Sequence, residues 1–271
     1  MPPMTSTTPA GRSRARRHPP ELWRVPVLRT ERVTPAMVRI TVGGPVLANF
    51  PGGGGDQHVV LYFYDRDVEL PDPLTLTSAR TMLGQVRPAM RSYTVRRHDP
   101  VHHELDIDFV LHAEGGVAAD WAATTRPGDH LIVVGPSPAY LPDPTIPTHV
   151  LLGDETALPA IGAMLAHLPA SATVTSIIEI ADPTEEQPLP GPADSRITWL
   201  HRAGRPAGTA DLLLAALRAA GPLSGATAVW AAGERTAMQA VRAYLLDESG
   251  LDRQRVRTTM YWRFGHTGGT G

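Results

Sequence analysis

Three short segments of this chain carry residue types whose spacing suits the grip of a phosphorylated, ring-bearing ligand. The first is Arg91-Ser92-Tyr93-Thr94-Val95-Arg96. On a strand, positions 91, 93 and 95 face one way and 92, 94 and 96 the other. A guanidinium forks onto a phosphate, a tyrosine ring lies flat against a ring system, and a threonine hydroxyl donates to a ring nitrogen. Taken alone, a half-charged strand is more often an ordinary barrel strand. The second segment runs from His112 through Gly115, Gly116, Ala118 and Ala119 to Trp121, and reads as strand end, Gly-rich turn and helix start. Free N–H groups at the positive end of a helix form an anion site, and the small residues there let a pyrophosphate approach the backbone. An ordinary strand–turn–helix stays open, although Arg91, roughly two strands earlier, strengthens the anion reading. The third segment, Leu152-Gly153-Asp154-Glu155-Thr156-Ala157-Leu158, follows a short apolar strand and opens a helix. A doubly wound sheet binds a nucleotide phosphate at that place. G-x-G-x-x-G is missing, and Asp154 and Thr156 are equally readable as N-caps.

Composition narrows the chemistry. The chain has no cysteine, which excludes disulfides, thiolate nucleophiles, Cys-ligated zinc and iron–sulfur clusters. It has no lysine either, so all 25 basic residues are arginine and a side-chain Schiff base is impossible. Any electron transfer must run through a bound organic cofactor or a metal held by other ligands. A net charge of −2 gives no reason to expect nucleic acid or an anionic membrane. No apolar run approaches the roughly 20 residues of a membrane span. Arg16-Arg17 is followed by no apolar stretch, so the Thr-, Arg- and Pro-rich residues 1–20 read as a disordered tail and the chain as cytoplasmic. His98, His102, His103 and Glu104 are possible metal ligands, but a solvated turn is favoured. Asp247-Glu248 and the acidic stretch 182–186 read as solvated faces.

The positioning elements follow from periodicity. Strands are expected at 23–30, 38–42, 58–64, 92–96, 105–112 and 131–134, with a Gly-rich turn at 52–55, a short helix at 118–125 and a long loop at 71–89. Many short strands indicate a barrel or sandwich. The pattern changes at 141–147, where three of seven residues are proline. Beyond it, strands at 149–152, 173–180, 197–200, 226–231 and 256–262 alternate with helices at 157–168, 210–220 and 235–249, and a loop is expected at 182–194. That alternation implies a parallel sheet covered on both faces. The expected fold is an N-terminal antiparallel β-barrel domain at 21–143, followed by a C-terminal α/β domain at 147–267.

These motifs in this order resemble the siderophore-interacting protein family. RSYTVR, IDFVLH-x-x-GG-x-A-x-x-WA, PGDHLIVVGP and LLGDETALPAI carry the resemblance first. IIEIADPTEE (177–186), WLHRAG (199–204), VWAAGERTAMQAVRAYL (229–245) and YWRFG (261–265) extend it to nearly the whole chain. The resemblance implies a ferredoxin reductase-like fold, with an FAD-binding barrel and a domain for NADPH or NADH. It implies reduction of a ferric siderophore, with release of Fe(II). Arg91, Tyr93 and Thr94, with Ser92, would hold the flavin and its phosphate. Asp108, Val110 and His112 would run beside the ring or ribityl chain. Gly115, Gly116 and Ala118, with Trp121, would cradle the pyrophosphate. Asp154, Glu155, Thr156 and Ala157 would line the nicotinamide side, bordered by Gly233 and Glu234. His201 and Arg202 would stand where an adenosine 2′-phosphate binds, and Arg202 favours NADPH if it points at the ribose. Tyr261 and Trp262 would close the site.

Three departures from the family pattern bear on substrate. Val117 replaces a usual proline, which backbone binding tolerates. Val60 and Ser137 stand where the family often has basic side chains, thought to attract anionic chelates. Arg263 remains as a basic substrate contact, with Arg96, Arg97 and His266 as helpers, so a neutral or hydroxamate chelate is expected, handled by a monomer. Two other functions stay open: a reductase of the same build with another acceptor, and a non-catalytic chelate carrier. The phosphate-binding residues favour a working flavoprotein.

Overall fold

A computed structural model describes residues 19–65, 67–112, 115–137, 140–209 and 211–266. The expectation of a disordered tail therefore lies, for residues 1–18, outside the described residues. The N-terminal half contains β1 (Glu21–Thr34), β2 (Met37–Gly43), β3 (His58–Phe63), α1 (Leu76–Met82), β4 (Ala89–Thr94), β5 (Arg97–Asp99), β6 (Glu104–Val110), α2 (Val117–Thr124) and β7 (His130–Ser137). The strands form one antiparallel sheet in the order β4-β3-β7-β1-β2-β6-β5. Two features curl it. β1 pairs with β7 over its first six residues and with β2 from Val27 onward. The outermost strands β4 and β5 are joined by only Val95 and Arg96, and the Arg96 N–H donates to the Asp106 carbonyl at 2.9 Å. One bent stretch thus borders β3 at one end and β6 at the other.

Alternation in β6 explains the core. Leu105, Ile107 and Phe109 point inward and are fully buried with Val25, Ile40, Val59, Leu61 and Val133. Glu104, Asp106 and Asp108 point outward and meet arginines. Arg39 forks onto Asp108 at 2.7 and 2.8 Å, Arg97 holds Asp106 at 2.6 Å, and Arg29 holds Glu104 at 2.7 Å. Arg39 lies directly across the ladder from Asp108, the cross-strand relation in which opposite charges stabilise a sheet.

The second half contains β8 (Thr148–Asp154), α3 (Leu158–His167), β9 (Thr173–Ile180), β10 (Ser195–His201), α4 (Leu212–Ala219), β11 (Thr227–Glu234), α5 (Arg235–Ala243) and β12 (Val256–Trp262). Its sheet is wholly parallel, in the order β10-β9-β8-β11-β12. α3 covers one face, packing with Leu151, Val174, Ile178 and Trp230. α4 and α5 cover the other, packing with Val150, Leu152, Ile177 and Val229. α3 also meets the first sheet: Met37 belongs to its cluster, and an added Cβ at Gly162 would stand 2.8 Å from the Arg96 guanidinium. That second contact is why α3 is apolar nearly all round.

Two expectations need correction. Residues 71–89 are not all loop, because α1 forms there on a reciprocal capping box between Thr75 and Ser78. Among its residues only Ala79 is buried, so it has no apolar stripe to betray it. Nor is the acidic stretch 182–186 simply solvated. Glu185 is buried and accepts from the Thr34 hydroxyl at 2.5 Å and the Ala36 N–H at 2.9 Å, clasping the β1–β2 turn. Asp56 makes a second clasp, accepting from the Trp230 indole N–H at 3.2 Å and from the Tyr140 N–H.

Replacing Glu185 by Ala leaves the buried Thr34 hydroxyl and the half-buried Ala36 N–H without their carboxylate partner. The expected loss of stability is about 2–4 kcal/mol, read as a lower denaturant midpoint. An unchanged midpoint would show that the clasp contributes nothing.

Candidate functional site

On the curled sheet the site begins at the free edge of β4. Tyr93 packs on Phe109 with ring centroids 4.3 Å apart. Phe109 and Phe63 in turn meet Trp121 of α2 at 5.6 and 5.7 Å. This aromatic run brings the 91–94 segment and the Gly115–Gly116 turn to one edge of the sheet. Burial pushes the Tyr93 hydroxyl well above its ordinary pKa, so it stays protonated. Arg91 shares the face of Tyr93. Its Nη1 donates to the Met90 carbonyl at 2.9 Å, and it has no carboxylate partner among the described residues.

Gly115 and Gly116 have φ of 72° and 141°, a region that only glycine enters readily. The Gly115 N–H donates to the His112 carbonyl at 3.0 Å, closing the turn. No side chain of the Gly116 N-cap residue bonds the start of α2, and an added Cβ at Gly116 would meet nothing within 4 Å. An open helix N-terminus fits an anion, and Arg91 lies on the strand that the aromatic run Tyr93–Phe109–Trp121 links to α2. Ala118 and Ala119 are buried. One group opposes an anion: Asp120 Oδ2 accepts from the Gly116 N–H at 3.3 Å.

The structure separates other residues from this edge. Asp108 is turned away from Tyr93 and is consumed by Arg39, with Arg96 at 4.0 Å. Val110 packs against the cluster around α3. Both follow from strand parity. Phe109 is the residue of β6 that reaches the aromatic run, and sequence reasoning missed it although the alternation carried the signal. Arg97 is held by Asp106, Asp99 and Glu104 and so serves the scaffold, and Arg96 is largely buried against α3, 4.0 Å from Asp108. His102 bonds Asp99 at 2.9 Å and His98 packs edge-on against Phe50.

On the parallel sheet, the strand order reverses between β8 and β11, and the crevice beyond their carboxyl ends is where such sheets bind ligands. Asp154 dominates it. Its carboxylate accepts from the Thr156 N–H at 2.9 Å, the Thr156 hydroxyl at 2.5 Å, the Glu234 N–H at 3.1 Å and the Trp262 indole at 2.7 Å. Burial, then the neighbouring Glu155 charge, hold Asp154 above the usual carboxylate range. Gly233, at φ 150°, has no room for a side chain, since a Cβ would stand 2.6 Å from Asp154 Oδ2. Ala157 is buried at the start of α3. Glu234 caps α5 through the Thr236 and Ala237 N–H groups and also accepts from the Phe264 N–H at 3.2 Å. The Trp262 ring lies against Gly208, whose added Cβ would be 2.8 Å from it. Tyr261, pushed well up by burial, packs against the cluster around α3 with its ring 6.3 Å from that of Trp230. Arg263 and His266 are exposed.

Arg202 does not point at an adenosine ribose. It is buried and forks onto Glu155 at 2.7 and 2.7 Å, with Glu179 at 3.5 Å. Two desolvated carboxylates outbid solvent for it. His201 is half-exposed and bonds Glu186 at 2.9 Å.

The comparisons agree with this geometry. The model of the siderophore-interacting FAD-binding domain matches residues 26–140, and that of the siderophore-interacting protein matches residues 146–265. The chain belongs to the siderophore-interacting protein family. The NADPH-dependent ferric-chelate reductase of Escherichia coli is 30% identical over 87% of this chain and 91% of its own. An uncharacterized protein of Mycobacterium tuberculosis is 38% identical over 89% of this chain and 90% of its own. A siderophore utilization protein from T. fusca has a solved structure similar at TM-score 0.81, with 39% identity over 93% of this chain and 96% of that one. A ferredoxin reductase of carbazole 1,9a-dioxygenase, 13% identical at TM-score 0.66, shares the fold.

In this siderophore-interacting protein the acid cluster predicts a pH dependence. Burial pushes Glu179 up to about 7 from an ordinary 4.5. A raised folded pKa on an acid means that the unfolded state ionises first, so stability falls as pH rises between those values. Glu179→Gln is therefore expected to flatten the fall between about pH 5 and pH 8, by on the order of 1–3 kcal/mol, measured by chemical denaturation across pH. Parallel curves for the variant and the parent would contradict this.

Proposed function

We propose that this chain reduces ferric siderophores with NAD(P)H through bound FAD, releasing iron as Fe(II) in the cytoplasm. The observation that carries the reading is the aromatic run Tyr93–Phe109–Trp121, which links the strand of Arg91, free of any carboxylate among the described residues, to α2 with its Gly-opened N-terminus. Arg91 and that N-terminus suit a pyrophosphate, and Tyr93, packed on Phe109, offers a ring face. The relatives' names support the chemistry, as they include ferric reductases of vibriobactin and of a ferric chelate. We read residues 21–143 as the flavin domain and 147–267 as the nicotinamide domain.

Each residue has a physical task. Arg91 and the Gly115, Gly116 and Ala118 backbone hold the diphosphate, and Asp120 gives up its contact to Gly116 when they do. Tyr93 and Thr94, with Ser92, orient the ring. Gly233, Thr156 and Ala157 shape the nicotinamide crevice, and Asp154 and Glu155 fix its walls. Trp262 covers it. When bound, the flavin supplies the exchange between two-electron and one-electron chemistry. Fe(III) is the substrate, and Fe(II) binds hard oxygen ligands more weakly, so reduction loosens the chelate.

The substrate we infer is a neutral or hydroxamate-type chelate bound by a monomer. Val60 and Ser137 bring no charge, Arg97 is committed to carboxylates, and the Arg96 side chain is largely buried. Arg263 is left as the exposed basic contact near Trp262.

Arg91→Ala is expected to weaken FAD binding by about 10- to 100-fold, the loss of charge-assisted hydrogen bonds, measured by fluorescence titration. In the same preparation, NADPH-driven Fe(II) production from a ferric hydroxamate, trapped by an Fe(II)-specific chelator, should fall in proportion to bound FAD. Full Fe(II) production by a variant without FAD would overturn the reading.

A further inference from the structure

Gly162 lies inside α3, between Ile161 and Ala163, and its φ is outside the left-handed region. Its backbone therefore does not demand glycine, and alanine would be the more stable residue in a helix interior. What glycine gives there is room. Cζ, Nε and Nη2 of Arg96 each stand 2.8 Å from the place an added Cβ would take. One point equally far from three atoms of the fork puts the guanidinium face-on against the helix. We infer that Arg96 is a positioning residue for hydride transfer: its seat on Gly162 sets the distance between the flavin-binding strand and the nicotinamide crevice. The inference rests on the reading of the two halves as flavin and nicotinamide domains.

Nothing else among the described residues explains where this guanidinium goes. The Arg96 side chain is 13% exposed, and Asp108 Oδ2 stands 4.0 Å from its Nε, beyond hydrogen-bond reach. Both Asp108 oxygens already accept from Arg39, at 2.7 and 2.8 Å. The backbone at the bend belongs to the curled sheet, since the Val95 N–H donates to the Gln57 carbonyl at 2.8 Å and the Arg96 N–H to the Asp106 carbonyl at 2.9 Å. The bend is thus fixed to its own sheet by main chain, while the Arg96 side chain reaches across to the helix of the other.

The place of this contact suits the task. Arg96 follows Thr94 by two residues, about 7 Å of extended chain. Gly162 follows Ala157 by five, about 7.5 Å of helix. Both arms are short and built on regular elements, so a shift at the seat passes to the strand that orients the ring and to the loop that opens the crevice. The clasps at Glu185 and at Asp56 join the halves through the β1–β2 turn and through Trp230, outside these two segments. Hydride transfer moves one hydrogen with both electrons from nicotinamide to flavin, so its reacting atoms must stand within about 3–3.5 Å, and a misplacement of about 1 Å costs on the order of 100-fold. Passing single electrons to a chelate at the open flavin edge needs no such contact with the nicotinamide crevice.

The test compares Gly162→Ala, Arg96→Gln and the double variant with the parent, all FAD-loaded. Anaerobic flavin reduction at saturating NADPH should slow by about 10- to 100-fold in each single variant. Reoxidation of the photoreduced flavin by a ferric hydroxamate should keep the parent's rate. NADP+ affinity by calorimetry should hold, and amide exchange at Val95 and Arg96 should quicken. Both substitutions remove one contact, so the double variant should be no slower than the slower single, whereas independent effects would multiply. Should Gly162→Ala not fold, Arg96→Gln carries the test, because Arg39 still holds Asp108 and no charge is stranded. Unchanged flavin reduction, equal slowing of both half-reactions, or multiplied losses in the double variant would each overturn the inference. Failure of the functional reading is separable: a parent flavin that NADPH reduces but that passes no electrons to the chelate would sink that reading and leave the positioning result standing.

Discussion

One buried carboxylate, that of Asp154, fixes the geometry on which the rest of the site depends. It closes β8 through Thr156, takes an N–H from the end of β11 at Glu234, and takes the indole N–H of Trp262 from β12. Three strand ends are tied to one group. A buried charge is stable only when such bonds replace its lost hydration, so the site cannot relax without stranding it. Tyr261, next to Trp262, is buried against the cluster around α3. The clasps at Glu185 and Asp56 hold the sheets together elsewhere.

With no lysine in the chain, arginine carries every fixed positive charge, and the structure divides these arginines by task. Arg39, Arg97 and Arg202 fork onto buried or half-buried carboxylates. The planar guanidinium matches a carboxylate at two points and is less strongly hydrated than an ammonium, which suits it to these places. Arg91 and Arg205 touch only backbone carbonyls among the described residues. Arg32, Arg87 and Arg255 do likewise, so the lack of an acid partner does not by itself mark a ligand contact.

Much of this was legible in the sequence. Glycines 115 and 116 announce a positive-φ turn before a helix, and alternating strands and helices announce a parallel sheet. Resemblance carried the wrong face in one place: Asp108 belongs to the motif, but parity in β6 sends it to Arg39 and sends Phe109 to the aromatic run. Arg202 was placed correctly at a strand end, yet the direction of its side chain depends on Glu155 and Glu179, residues far apart in sequence. Glu185 looked like any surface acid because its partners, Thr34 and Ala36, sit in the other half of the chain. Helix α1 was invisible because it buries almost nothing. Local backbone signals survive in sequence, whereas ion-pair choice is a tertiary outcome.

The most direct test of the account follows the second half-reaction alone. The FAD-loaded protein is reduced photochemically without oxygen and mixed with a ferric hydroxamate, while flavin absorbance near about 450 nm and trapped Fe(II) are recorded. The account predicts that the yellow colour returns as about two Fe(II) appear per flavin, as electron balance requires. A flavin that stays bleached beside an intact ferric chelate would contradict it.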